Sequence, residues 1–478
     1  MRAIRHAARA SLRAAAHCRH WRPASAGRSI GLVGLVVGLA ACGGGGGNGD
    51  GPPGNGDGPR GDGPPNADAP PVGTPLIDRI VVTDVATPDG VMAGDSNWRI
   101  WGTASLRVSP VFTVPNADCG TLVGYTTTGP NARVARLDAS DQLITTYDLG
   151  PYELRGLAAE PSGHFAALLW DTVPDPASLH VQRFGPAGAP DWSASLDNAL
   201  AMPTDFNIGE SRLEYGDGRY GAYFHVHGIS GFAEDHEGDA MHWVDAASGA
   251  HTVGWDWGCS HSMSEMLRFD PQRNEFLSAC VTDCFPGTSG DFATSSIGGI
   301  YLDRSRKVID VDAGCNGDVA GELGGLAPAG PGWKLVFNAH QNPATGGQGS
   351  YNPSTMNQDI GFASIAGNGN PGGVVWLTTT PGNEANSSIA RWQPSGDPAE
   401  QYVVGWSRGA MYQLARITPD GAFLEGPIDV ATVVQWGERD DPFRDHRNGD
   451  VQWAWFDAPG ATSFHLARIR AGGTCTPL

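Results

Sequence analysis

The chain has 478 residues, 40% of them hydrophobic, and a formal net charge of −20. Beyond the first 41 residues no basic stripe is visible, so that acidic balance disfavours nucleic acid as a partner, because displacing phosphate counterions needs clustered Lys and Arg. Beyond the first 41 residues, no stretch approaches the ~18 consecutive apolar residues of a membrane-spanning helix.

The first 41 residues hold seven arginines and no acid, and end in a twelve-residue apolar run over 30–41. Twelve residues are too few to cross a hydrocarbon core of ~30 Å, so the segment reads as an export address. It closes on Leu39-Ala40-Ala41-Cys42, and this order of basic, apolar, small residue and cysteine resembles the signal of bacterial lipoproteins. The resemblance implies cleavage before Cys42 and an acyl lipid such as palmitate on that cysteine. Gly43 follows in place of the aspartate that tends to hold lipoproteins at the inner membrane, so it also implies the outer membrane of a Gram-negative envelope. Losing residues 1–41 takes the charge to −20 − 7 = −27. Residues 42–75 comprise the candidate lipidated cysteine and a tract of mostly Gly, Pro, Asp and Asn, a composition that cannot offset its ordering entropy. As a flexible tether it reaches roughly 30 Å. The folded domain is expected over 76–478.

That length is large for one compact core, and internal repetition resolves the difficulty. An alternating strand leading into a tight turn recurs seven times, for instance Ala132-Arg133-Val134-Ala135-Arg136-Leu137 and His465-Leu466-Ala467-Arg468-Ile469. Aligned on Arg136, Arg183, Trp243, Tyr301, Ser364, Arg416 and Arg468, the intervals are 47, 60, 58, 63, 52 and 52. Each copy follows a more apolar strand, and a further strand stands before that one across turns such as Glu160-Pro161-Ser162-Gly163. Seven such units predict an all-β, seven-bladed propeller of four-stranded blades, with strands A to D running outward from the axis. The last blade lacks a fourth strand, while 78–84 is left over at the N-terminus. Pairing the two closes the ring and removes its open edges.

In this architecture the D–A and B–C connections share one face, here called upper. The longest B–C connections are 228–239, 283–298 and 341–358, on blades 3 to 5. Long loops on a rigid scaffold carry binding, so the expected function is recognition of a ligand or partner protein on that face. Phe232, His236, Phe285, Phe292, Tyr351 and Trp436, with Asp440 or Asp441 near the last, would suit a glycan, a peptide or an envelope protein. The same region holds His225, His227, His261 and His340, a plausible zinc or copper set and the basis of an alternative reading as a metal-dependent extracytoplasmic enzyme. Asp283, Asp291 and Glu265 offer a weaker calcium option. Gly405-Trp406-Ser407-Arg408-Gly409 matches the serine-hydrolase pattern but ends a strand that leads into another strand, so no nucleophile elbow is expected.

Six cysteines remain after Cys18 and Cys42, an even number that in an exported chain reads as three disulfides. Cys119 with Cys475 would staple the ring closure. Counting from the turn at 270–274 favours Cys259 with Cys284 and Cys280 with Cys315, and the pairing of 259 with 280 and 284 with 315 stays open.

Overall fold

The computed structural model describes residues 73–93, 110–171, 178–196, 211–227, 237–256, 258–259, 264–282, 299–310, 321–341, 357–436 and 441–477, with the side chains of 227, 237 and 310 outside that set. Its strands form seven four-stranded antiparallel sheets. Strand A of blades 1 to 7 is Phe112–Pro115, Glu153–Ala159, Ser211–Gly216, Glu265–Asp270, Gly321–Ala329, Ala385–Trp392 and Arg444–Asp445. Each of these touches strand A of the next blade, and blade 7 returns to blade 1, so the array is a closed seven-bladed propeller. Among the described residues the one helical element is a short 3-10 turn, Leu76–Arg79, and no helix is long and apolar enough to cross a membrane.

Ring closure follows the expected plan. In blade 7 the sheet order places Ile80–Ala86 outermost, beside Ser463–Ile469, with Ile80 opposite Ile469 and Ala86 opposite Ser463. The closing strand starts two residues later than 78–84, because Asp78 N–H donates to Pro75 O at 3.1 Å within the turn that precedes it. A disulfide between Cys119 and Cys475 lies beside this closure.

The hydrophobic core is divided among the interfaces between blades. Seven buried clusters occur, each drawn from two adjacent blades. One joins Ala166, Leu168 and Val181 of blade 2 to Leu213, Ala222 and Phe224 of blade 3, and another joins Val123 and Ala135 of blade 1 to Leu466 and Phe464 of blade 7. Strands A and B are covered on both faces by neighbouring blades, and strand B reads as a mostly apolar run. Thr121–Thr126 is buried throughout, whereas the outermost Leu143–Gly150 is largely exposed. Close approach at the axis demands a small residue at some sites. A Cβ on Gly156 would lie 2.8 Å from Leu213 Cβ of the next blade.

The repeated arginine of strand C also has a physical basis. Arg136 pairs with Asp118 at 2.6 Å, and Arg183 with Glu160 and Asp191, each at 2.6 Å. In blade 7 the same position crosses to the next blade. Arg468 Nε lies 2.8 Å from both oxygens of Asp141, which sits in the turn between strands C and D of blade 1.

Candidate functional site

The upper ends of blades 3 to 6 bring polar side chains together above an apolar body. In blade 3, strand B (Arg219–His227) ends on the His225-Val226-His227 segment, paired with the start of strand C (Glu237–Asp245). His225 is buried, and its Nδ1 lies 3.7 Å from Oε1 of Glu265, the first residue of strand A in blade 4. Beside them Asp239 is fully buried and accepts hydrogen bonds from Tyr223 Oη at 2.5 Å and Trp255 Nε1 at 3.0 Å. Burial pushes its carboxyl up to about 6, against the opposing pull of those two donors.

Blade 5 continues the polar surface. Asn338, near the end of strand B (Gly332–Ala339), donates through Nδ2 to Glu322 Oε2 at 3.2 Å and to Gln358 Oε1 at 2.6 Å. Asp359, which opens strand C (Asp359–Ala366), accepts from Gln341 Nε2 at 2.8 Å and from the Thr380 N–H at 2.9 Å. Toward blade 6, Glu384 accepts from the hydroxyls of Thr378 and Thr380, and burial raises its carboxyl above the usual range. A shallow hollow of about 330 Å³ opens here, lined by His340, Gln341, Asn357, Asp359, Thr379 and Thr380. Its groups are amides, hydroxyls, an imidazole and a carboxylate, each able to meet a ligand hydroxyl.

The expected site residues fall into three groups. His225 and His340 both stand at the upper ends of their strands, His225 beside Glu265 and His340 at the hollow. Phe232, His236, His261, Phe285, Phe292, Tyr351, Asp283, Asp291 and the side chain of His227 lie outside the described residues, as do most of the three long connections, Cys42 and the tether. The flanking strands of those connections leave blades 3, 4 and 5 from the same end, and strand C of blade 3 already begins at Glu237. Trp436 requires correction. It is no rim residue. Its indole is 2% exposed, packed edge-on against Tyr412, Phe443 and Trp453, with Nε1 donating to Asn386 O at 3.0 Å. An aromatic in a connecting segment looked accessible in sequence, yet here the segment folds under the interface between blades 6 and 7. Asp441 is buried as well and belongs to the axis.

The cysteine pairing is corrected too. Cys259 is bonded to Cys280, so the pairs Cys259 with Cys284 and Cys280 with Cys315 are excluded, while Cys284 and Cys315 themselves lie outside the described residues. Strand A pairs with strand B only from Glu265 onward, with Glu265 opposite Cys280. Cys259, upstream of that ladder, is bonded to Cys280 and not to a cysteine past the end of strand B. Among the described residues, the one group of three or more His, Cys, Asp or Glu side chains close enough to share an ion is Asp239, Cys259 and Cys280, and its sulfurs are bonded to each other. The expected zinc, copper or calcium sites are therefore not assembled from described residues.

The polar set of blade 5 and the charged residues of the axis escaped the sequence reading. A signal was present for the latter, in Arg212, Glu214 and Arg268 standing within the inner strands Ser211–Gly216 and Glu265–Asp270.

No known protein-family model matches the chain, and no curated protein matches it in sequence. Among solved structures it is similar to the BP39L lectin from Burkholderia pseudomallei, at 13% identity and a TM-score of 0.43, over 73% of this chain and 98% of that one. It is also similar to an α-L-arabinanase from Penicillium chrysogenum complexed with arabinobiose, at 11% identity and a TM-score of 0.42, over 81% and 99% of the two chains. The Dos1 propeller matches at 9% identity and a TM-score of 0.42, over 84% and 98%. No function is drawn from likenesses this distant.

Proposed function

We propose that this protein is a lipid-anchored envelope propeller that binds a polyhydroxylated ligand of the glycan class on its upper face, over blades 3 to 6. The observation that carries the reading is the hollow beside blade 5, where Gln341 and Thr380 fix both oxygens of Asp359. Side chains already held by one another lose little freedom on binding, and alternating donors and acceptors match vicinal hydroxyls. The described strands that flank 228–239, 283–298 and 341–358 end at that same face. Cys42 and the Gly-, Pro- and Asp-rich tract after it support the anchor, since they would hold the domain clear of a membrane surface.

The test is direct binding of the purified protein to immobilised oligosaccharides from bacterial cell wall and lipopolysaccharide, repeated with Asp359→Ala and Gln341→Ala. The expected result is binding to at least one glycan, weakened about tenfold or more by either substitution. Binding to none, or binding indifferent to both substitutions, overturns the reading. For the anchor, metabolic palmitate labelling should mark the wild type and not Cys42→Ala; equal labelling of both would refute it.

A further inference from the structure

The lower end of the axial channel, opposite the hollow, holds a second cavity, of about 540 Å³. It lies among the inner ends of strand A and the A–B turns of blades 1 to 5 and 7. Its wall is largely apolar, built from Tyr215, Phe269 and the prolines 115, 161, 271 and 328. Its charged floor ends a line of alternating partners that runs across three blades. Arg212 meets Asp441 at 3.3 Å, Asp441 meets Arg268, Arg268 meets Glu214 at 2.8 Å, and Glu214 meets Arg444 at 2.5 Å. The line terminates on Arg444, which lines the cavity and whose side chain is 14% exposed. Arg447 adds a second positive group at the wall, held through the carbonyl oxygens of Ala117 and Thr476 at 2.7 and 2.6 Å.

Four carboxylates line the same cavity beside its three guanidinium groups, each either already engaged or set at the edge. Glu214 is shared between Arg268 and Arg444, Glu160 is engaged by Arg183 and Tyr220, and Asp217 and Asp445 are exposed at the rim. In a low-dielectric channel an arginine whose bonded carboxylate is shared with a second arginine can still attract a further anion, and its planar fork suits a carboxylate. A volume of this size holds a small organic molecule.

From these features we infer that the lower mouth is a binding site for a small organic carboxylate with a ring or short apolar body. The carboxylate bonds Arg444, with Arg268 behind it, and the body lies against Tyr215, Phe269 and the prolines. This site stands apart from the upper face, so neither reading depends on the other.

The test is calorimetric titration of the purified full chain at low ionic strength with benzoate and with galacturonate. Benzyl alcohol and galactose serve as neutral counterparts, and inorganic phosphate as a bare anion. At least one carboxylate is expected to bind about tenfold or more tightly than its neutral counterpart and than phosphate. Arg444→Gln should abolish that preference. The exposed rim substitution Asp445→Asn, which leaves the axial network intact, should tighten carboxylate binding about two- to threefold by removing a like charge. The assignment is overturned if neither carboxylate binds the wild type. It is equally overturned if phosphate binds as well as both, or if Asp445→Asn leaves carboxylate affinity unchanged.

Discussion

Removing Arg468 should cost more stability than removing any other strand-C arginine. Its guanidinium bonds both oxygens of Asp141 through Nε at 2.8 Å, and through Nη2 it reaches Asp141 Oδ1 at 2.5 Å and Thr121 Oγ1 at 2.9 Å. The two side chains are only 3% and 2% exposed, so Arg468→Met leaves a carboxylate buried with neither water nor a cation. Breaking one side of a buried pair typically costs about 3–5 kcal/mol, and three charge-assisted bonds place this pair in the upper part of that range. By contrast Arg136 and Asp118 are 26% and 37% exposed, and Arg136→Met should cost about 1 kcal/mol or less from lost ion pairing. Urea unfolding followed by tryptophan fluorescence measures both. Asp141 has a positive φ of 61°, so its test substitution is Asn, which tolerates that conformation. The double variant Arg468→Met/Asp141→Asn should be less destabilised than the sum of the two singles by about 2 kcal/mol. A loss below about 1 kcal/mol for Arg468→Met, or strict additivity in the double variant, would refute the claim that this pair holds blade 7 to blade 1.

Three further outcomes are expected. The Cys119 to Cys475 bond spans 356 residues, and loop-closure entropy assigns such a link about 6 kcal/mol at most, so Cys119→Ser/Cys475→Ser should lower the urea midpoint well beyond experimental scatter; an unchanged midpoint would show that strand pairing alone closes the ring. Peptide mapping without reduction should recover Cys259 linked to Cys280, and recovery of Cys259 with Cys284 would contradict the fold of the connection before Glu265. Asp239 keeps its proton to about pH 6 in the folded protein, against 3.8 ordinarily, so its contribution to folding is greatest at low pH and is given up as pH rises from 3.8 to 6. The difference corresponds to about 3 kcal/mol, and the stability of Asp239→Asn relative to wild type should rise by that order between about pH 4 and pH 7; parallel pH profiles would remove the burial argument.

The ring was legible because its physics repeats. Each blade buries strands A and B on both faces, so strand B is mostly apolar, the outer strands are mixed, and the pattern returns every fifty or so residues. The leftover strand at the N-terminus was legible for the same reason, since a blade without its fourth strand exposes an edge. Pairings that depend on where the chain leaves a ladder were not legible. Glu265 opposite Cys280 decides the disulfide, and no local preference of the segment before Glu265 announces that the ladder stops there. Trp436 shows the same limit, for its burial arises from Tyr412, Phe443 and Trp453, supplied by two different blades. The hollow beside blade 5 is built from ordinary polar residues at 340–341, 357–359 and 379–380, brought together only by the sheet register.

The strands that line the axis place charged residues at both of its ends. Strand A enters each blade from the upper face, and at that end Glu265, Glu322 and Glu384 stand in or beside the first residues of blades 4, 5 and 6. Further down the same ring of strands come Arg268 and Arg444, with Arg447 in the turn below. Because the seven strands run in parallel, a charge placed early in one stays near the upper mouth and a charge placed late stays near the lower. Between the two mouths the line from Arg212 to Arg444 alternates guanidinium with carboxylate, so the buried charges there stabilise one another.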